Sequence, residues 1–292
     1  MEASAAVFAP GARARRRKIV NRAVEVIAVL ASAAAIAVLV LVIVSIARRG
    51  APAIDWDFFT KSPAGFGEPG GGIAPAIVGS AVIVLFATLM ALPVGVLCAI
   101  WISEFAPRRV AGVVRIALDV LNGLPTIVFG IFVFSLVVVA HGQSALAASF
   151  ALAIVMLPLI ARATQEVLRL VPASLREAGL ALGASRWRTV VGVILPTTLG
   201  GILTGTTLAI ARAAGETAPL LFTSSIVIQQ VDANPRHALQ SIPVTIFELS
   251  ESADPADHAR AWAAALVLLT FVLVSSLAAR ALLARSRRKL TR

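Results

Sequence analysis

PASLREAGLALGASRWRTVVGVILP, residues 172–196, separates two long apolar runs, and its reading decides how the rest of the chain is organised. About 35 residues lie between Ala161 and Thr197, well beyond the usual connection between packed helices. The stretch is patterned. Ser174-Leu175-Arg176-Glu177 fits a capping box, and Pro172 suits a helix start. Leu175, Ala178, Gly179 and Leu182 then share one face at helical spacing, and their small average size lets another surface approach closely. Gly183 breaks the helix, Ala184-Ser185-Arg186-Trp187 restarts it, and Ile194-Leu195-Pro196 leads into the next apolar run. On pattern alone, an amphipathic helix lying on a membrane fits equally well.

The runs on either side are long enough to cross a bilayer, which needs about 20 apolar residues. Six are read: Ala23–Ala47, Ala76–Ile102, Gly123–Ala140, Ala145–Ala161, Thr197–Leu221 and Ala261–Leu283. With 59% hydrophobic and 14% charged residues and a mean hydropathy of +0.91, the chain is too apolar for a soluble domain. The first run far exceeds a signal-peptide core, so an uncleaved span is expected. Only His141-Gly142-Gln143-Ser144 separates the third and fourth, which predicts a tight helical hairpin. Trp101 and Trp262 sit near span ends, as interface anchors do.

The formal charge of +11 does not imply nucleic acid, because the basic residues form short blocks between spans. Arg13, Arg15, Arg16, Arg17, Lys18 and Arg22 precede the first span. Arg108, Arg109 and Arg115 follow the second, Arg162, Arg169, Arg176, Arg186 and Arg188 the fourth, and Arg285, Arg287, Arg288, Lys289 and Arg292 the sixth. A six-span path puts all of these on one side, so both termini are expected in the cytoplasm. Arg48, Arg49 and Lys61 are exceptions, offset by Asp55, Asp57 and Glu68. The Gly/Pro-rich Ser62–Gly72 reads as a flexible external linker. Cys98 is the single cysteine, so a disulfide within the chain, a thiolate metal site and CxxC chemistry are excluded. His141, His237 and His258 show no ligand spacing, and neither a catalytic nor a metal constellation is read.

Charged residues inside a span carry the functional reading. Arg212 lies 15 residues beyond Thr197, roughly 22 Å along a helix, and Glu216 follows at i,i+4. Such residues face a bundle interior or a polar path. A guanidinium suits a tetrahedral oxyanion. Glu216 accepts a hydrogen bond only from a substrate that keeps its own proton, which phosphate does at neutral pH and sulfate does not. A self-neutralising structural pair is the alternative. Arg162, ending the fourth span before Gln165 and Glu166, reads either as the cytoplasmic part of the same path or as a positive-inside anchor. Asn122-Gly123-Leu124-Pro125-Thr126 supplies a helix break whose freed N–H groups suit an anion, or simply a span start.

Glu177-Ala178-Gly179, Gly183 and Leu195-Pro196 resemble the EAA loop of ABC importer permeases: Glu-Ala-Ala, a glycine six residues after the Glu, and Leu-Pro eighteen and nineteen after it. Gly179 replaces the second Ala, and Val193 the usual Ile. The resemblance implies an all-α integral membrane fold of six transmembrane helices with a type I, MetI-like core, and a coupling helix seated in a separate nucleotide-binding subunit. No GxxxxGK[ST] stretch is present, so ATP and Mg belong to that partner, and no cofactor is expected in this chain.

Residues 71–80 (GGIAPAIVGS), 121–130 (LNGLPTIVFG) and 214–221 (AGETAPLL) further resemble the phosphate-specific ABC importer permeases in their PstA branch. A weaker likeness runs through Ile242–Ile246 and Ala261–Ala265. Arg162, Arg212 and Glu216 match charged positions that the family associates with phosphate passage, and Thr217 continues that Gly-Glu-Thr motif. The resemblance implies a sister permease forming a heterodimer, two ATPase subunits and an extracytoplasmic phosphate-binding protein, in a bacterial inner membrane. The acidic segment Gln229–His258 is a plausible contact for the binding protein, or a plain surface loop. The expected organisation is a basic tail (1–22), a first span (23–47), an external linker (48–72), a five-helix core (73–284) holding the coupling loop 162–196, and a basic tail (285–292). A permease for sulfate, molybdate or phosphonate, an ATP-independent secondary transporter or channel, and a membrane scaffold are the alternatives.

Overall fold

The structure, a computed structural model, describes residues 12–65, 70–225 and 230–290. Residues 1–11, Glu68, Gln229 and Arg292 lie outside these, as do the side chains of Arg285, Arg287, Arg288 and Lys289. The chain divides into two compact units, Met1–Arg48 and Arg49–Arg292. The first is the greater part of α1 (Ala12–Gly50), whose run between Glu25 and Arg48 is apolar all round, with Ile27, Leu30, Ile36 and Leu41 exposed. A helix of this kind has lipid as its natural solvent.

The second unit is all helix among the described residues. A short helix, α2 (Trp56–Thr60), is capped by Asp55, whose Oδ1 accepts the Phe58 N–H at 2.7 Å. Phe58 is buried with Ile73, Ile242 and Ala263, and the Gly72 N–H donates to the Ser62 carbonyl at 2.9 Å. The two ends of the Gly/Pro-rich segment are thus joined to each other beside the buried Phe58, while residues 66–69 lie outside the described residues.

The centre is made by α3 (Ala74–Ile100) against α7 (Ala145–Arg169), with Ile83, Ala87, Leu152, Met156 and Ile160 fully buried. Ser144 caps α7, accepting the Ala147 N–H at 3.1 Å. The free Ala145 and Leu146 N–H groups donate to the carbonyls of His237 and Pro235, so the 230–241 loop seals this helix end. Leu195–Ala213 (α10) lies along α7 so closely that a Cβ at Gly205 would meet Ala163 Cβ at 2.4 Å. Small residues are the usual means of such approach between membrane helices. Ile242–Glu251 (α12) and Pro255–Leu290 (α13) complete the bundle.

Among the described residues, five helices are long and apolar enough to span, and the number rises to six if one bent pair counts as a span. That pair corrects the third expected span. It is α4 (Arg108–Gly123) and α5 (Thr126–Val133) with its continuation to His141 through α6 (Val139–His141), bent by 94° at Leu124-Pro125. Residues 108–123 are thus a basic amphipathic helix, not merely a charged connection. The fourth span runs on to Arg169 instead of stopping at Ala161. Leu168 and Val171, buried with Ile100, Val190 and Ile194, repay the polar residues that sequence reading took as its end. The fifth expected span, Thr197–Leu221, is broken: α10 stops at Ala213, and α11 (Ala218–Thr223) restarts beyond Gly215 with Pro219 in its first turn.

Candidate functional site

The α8 helix (Ala173–Ala181) occupies the expected place, and Gly183, at φ +79°, ends it in the left-handed conformation that favours glycine. The Gly183 N–H donates to the Leu180 carbonyl and the Ala184 N–H to that of Gly179. Ser185 caps the restart α9 (Arg186–Thr189), which passes through a π-helical turn, Val190–Ile194, into Leu195 and Pro196 of α10. The capping box does not form: Pro172 takes the cap position and no side chain caps the helix. The expected contact face also splits. Leu175, Ala178, Leu182 and Glu177 are exposed, whereas Gly179 is buried against its own α9, where an added Cβ would meet Thr189 Cγ2 at 2.6 Å.

Arg176 fixes this loop to the bundle. Its Nη2 donates to Glu104 Oε1 at 2.7 Å and its Nε to Glu104 Oε2 at 3.1 Å, while Nη1 and Nη2 reach the carbonyls of Val171 and Leu168 at 2.7 and 2.9 Å. Glu104 sits in the π-helical turn Trp101–Phe105 that ends α3, its side chain only 10% exposed. Sequence reading missed this clamp. A lone carboxylate at the end of an apolar run was the available signal, but its partner lies 72 residues away.

Arg212 and Glu216 lie across the end of α10, not on one continuous helix. The Gly215 N–H donates to the Arg212 carbonyl and the Glu216 N–H to that of Ala213, each at 3.1 Å. Arg212 Nε stands 3.8 Å from Glu216 Oε1, beyond hydrogen-bond length, with side chains 56% and 17% exposed. The Arg212 guanidinium makes no hydrogen bond among the described residues, so its five donors are open to a ligand. Thr217 starts α11 with its carbonyl, which accepts from Leu220 and Leu221.

Arg162 is inside α7, where its Nη2 is paired with Asp119 Oδ1 of α4 and approaches the Arg115 carbonyl at 3.4 Å. Asp119 is the second residue sequence reading passed over; a carboxylate on a basic helix was the signal. Gln165, expected beside Arg162 on a path, is instead buried with neither amide atom partnered, while Glu166 is exposed. Asn122 is exposed in the last turn of α4, and Thr126 is half-buried at the start of α5. Among the described residues, no ion pair joins Arg162 to Glu216 or Arg212 to Asp119.

A spanning bundle with a capped, clamped loop between α7 and α10 defines a class, the type I ABC importer permeases. Two solved structures share the fold: the alginate ABC transporter in complex with an alginate pentasaccharide-bound periplasmic protein (TM-score 0.58, 17% identity, 90% of this chain and 94% of that one) and the inward-facing MetNI methionine ABC transporter (TM-score 0.56, 19% identity, 74% and 94%). Residues 91–288 match the family described as binding-protein-dependent transport system inner membrane component. The phosphate transport system permease protein PstA of Xylella fastidiosa (strain Temecula1 / ATCC 700964) is 40% identical over 94% of this chain and 96% of its own length. PstA of Yersinia pestis is 36% identical over 94% and 92%, and PstA 1 of Mycobacterium tuberculosis (strain ATCC 25618 / H37Rv) 39% over 72% and 68%. The chain belongs to the binding-protein-dependent inner-membrane transport family and, within it, to the PstA permeases.

Proposed function

We propose that this chain is the permease subunit of an ATP-driven importer of inorganic phosphate and forms half of the translocation path. The observation that carries the substrate reading is Arg212, a guanidinium held on a spanning helix with every donor open, beside a carboxylate too distant to occupy it. Identity of 34–40% to proteins named as phosphate transport system permeases supports the same substrate. Glu216 selects a protonated oxyanion by accepting the P–OH hydrogen bond, and Thr217, Asn122 and Thr126 line the same route. Arg162 serves its inner part.

The loop 162–196 couples transport to a separate ATPase. Glu177, Ala178 and Leu182 form its docking face, Gly183 is the hinge, Leu195 and Pro196 transmit the movement, and Gly179 holds the docking helix on α9. The working assembly pairs this chain with a sister permease, two ATPase subunits that bind ATP and Mg, and an extracytoplasmic phosphate-binding protein. Both termini face the cytoplasm in this reading, which the distribution of the basic blocks supports. The test is gentle purification, identification of co-purifying subunits, and ATP-dependent uptake of labelled phosphate into vesicles. Co-purification of an ATPase and uptake resistant to excess sulfate and molybdate are expected. A complex without an ATPase, or one inhibited equally by those anions, overturns the reading. Glu216→Gln narrows the preference for phosphate over sulfate; unchanged selectivity removes that role.

A further inference from the structure

Arg162 is the inner counterpart of Arg212, yet its surroundings differ in one respect: a carboxylate from another helix already sits on it. Asp119 Oδ1 pairs with Arg162 Nη2, and the side chains are 59% and 30% exposed. A carboxylate presents to a guanidinium the same oxygen acceptors as a phosphate does. Arg115, one turn earlier on α4, is i,i+4 to Asp119 but makes no ion pair with it among the described residues, and its Nε is buried without a partner. The local balance is therefore two guanidinium groups and one carboxylate, a net positive place occupied by a group of the chain itself. Asp119 is also carried by a helix that turns away from α5 by 94° and buries only Ala111 and Leu118. The helix itself is packed, Ala111 and Leu118 being buried with Ala99, Ile102 and Ala161, so Asp119 leaves Arg162 by turning its own exposed side chain.

We propose that Asp119 is an internal stand-in for the substrate oxyanion: it holds Arg162 when the path is empty, yields to phosphate, and returns to expel it on the inner side. This rests on the reading of Arg162 as part of the phosphate path. Its consequence is competitive. A site whose free form is mostly occupied from within binds ligand more weakly by the fraction that is open, and removing the occupant removes that factor. Phosphate on the ATPase side then lingers at Arg162.

The test uses the full complex in vesicles with the ATPase side accessible and reads inhibition of transport by inorganic phosphate added on that side. Asp119→Asn is expected to lower the inhibitory concentration about three- to tenfold, Asp119→Glu to return it to within about twofold, and an Arg162→Gln background to abolish the shift. No shift in Asp119→Asn, or a shift that persists in Arg162→Gln, overturns the proposal. So does an Asp119→Asn complex that fails to assemble while Asp119→Glu assembles, since the pair is then a structural pin. An unmodified complex that moves no phosphate fails the underlying reading first, and that result is distinguishable because no variant is needed to see it.

Discussion

Two arginines, Arg176 and Arg212, sit at opposite ends of one connected element running from α8 through α9 to the end of α10, and they are used in opposite ways. Arg176 has its guanidinium committed on all sides: both carboxylate oxygens of Glu104 and two backbone carbonyls lie within 3.1 Å. Arg212 has one carboxylate at 3.8 Å and nothing closer to bond. Residue type and membrane-protein context are the same, so the neighbours decide the role. A guanidinium with four N–H groups bonded within the chain is a strut, and one with open donors is free for the oxyanion proposed at Arg212. The comparison also says where movement is possible. The loop end is bound into the core by a pair of which Glu104 is almost buried, while the far end finishes in a broken helix at Gly215.

The largest effect is expected at Arg212. Arg212→Ala should lower phosphate uptake by about 100-fold or more, because two charge-assisted hydrogen bonds are worth about 1.5–3 kcal/mol each. The subunits should still co-purify, since no hydrogen bond within the chain is lost. Arg212→Lys keeps the charge but not the fork and should recover only part of the rate. Uptake within a fewfold of normal in Arg212→Ala would collapse the contrast.

The strut should fail differently. Arg176→Ala leaves Glu104 ionised and unpaired, at a cost of about 3–5 kcal/mol, and should appear as a lowered Tm and loss of assembly. The sharper form is the double variant Arg176→Met with Glu104→Leu, which should be more stable than Arg176→Ala alone because both charges are gone. Equal instability of the two would mean that the carbonyl contacts at Leu168 and Val171, not the ion pair, hold the loop.

What the sequence disclosed follows the same division. Local order was legible: the helix end at Gly183, the α8 helix, the hairpin around Gly142 and the run of spans all depend on spacing within a few residues. Pairings across the fold were not. Glu104 with Arg176 and Asp119 with Arg162 lie 72 and 43 residues apart, and no periodicity records them. Helix ends failed where tertiary burial overrode polarity. Arg162 and Gln165 look like a terminus, yet Leu168 draws α7 on by packing against Ile100 and Ile194. At α10 the error ran the other way, because an apolar run was read through Gly215 and Pro219 although both favour a break. The expected cap at Ser174 lost to Pro172, two residues earlier, which leaves the hydroxyl inside the first turn.

A smaller effect separates the exposed face of α8, the proposed docking surface, from its internal packing. Gly179→Ala pushes a Cβ to within 2.6 Å of Thr189 Cγ2 and 2.8 Å of its Oγ1. The expected cost is about 1–3 kcal/mol, with α8 displaced from α9 and ATP hydrolysis less tightly coupled to uptake. Thr189→Ala should restore coupling to Gly179→Ala, because it removes both atoms. Failure of that rescue would return Gly179 to the outer face and make its size a matter for the partner subunit.

The smallest effect tests a carboxylate that has no arginine. Glu248 of α12 is half-buried, and burial raises its pKa above the ordinary glutamate range against the opposing hydrogen bonds of Gln240 and Ser225. One of its oxygens is buried without a partner. Unlike Glu104, it has only neutral groups to hold its charge. A carboxyl whose folded pKa is raised binds its proton more tightly in the folded state. Its contribution is therefore full below the unfolded pKa and is lost as pH climbs through the folded value. Stability should decline across that window in the unmodified protein and be flatter in Glu248→Gln. The difference should stay below about 1 kcal/mol, since half the group remains open to solvent screening. Thermal unfolding from acidic to neutral pH reads this directly. A parallel slope in the two proteins would show that Glu248 is held as a charge after all, by a contact equivalent to the one Glu104 receives from Arg176.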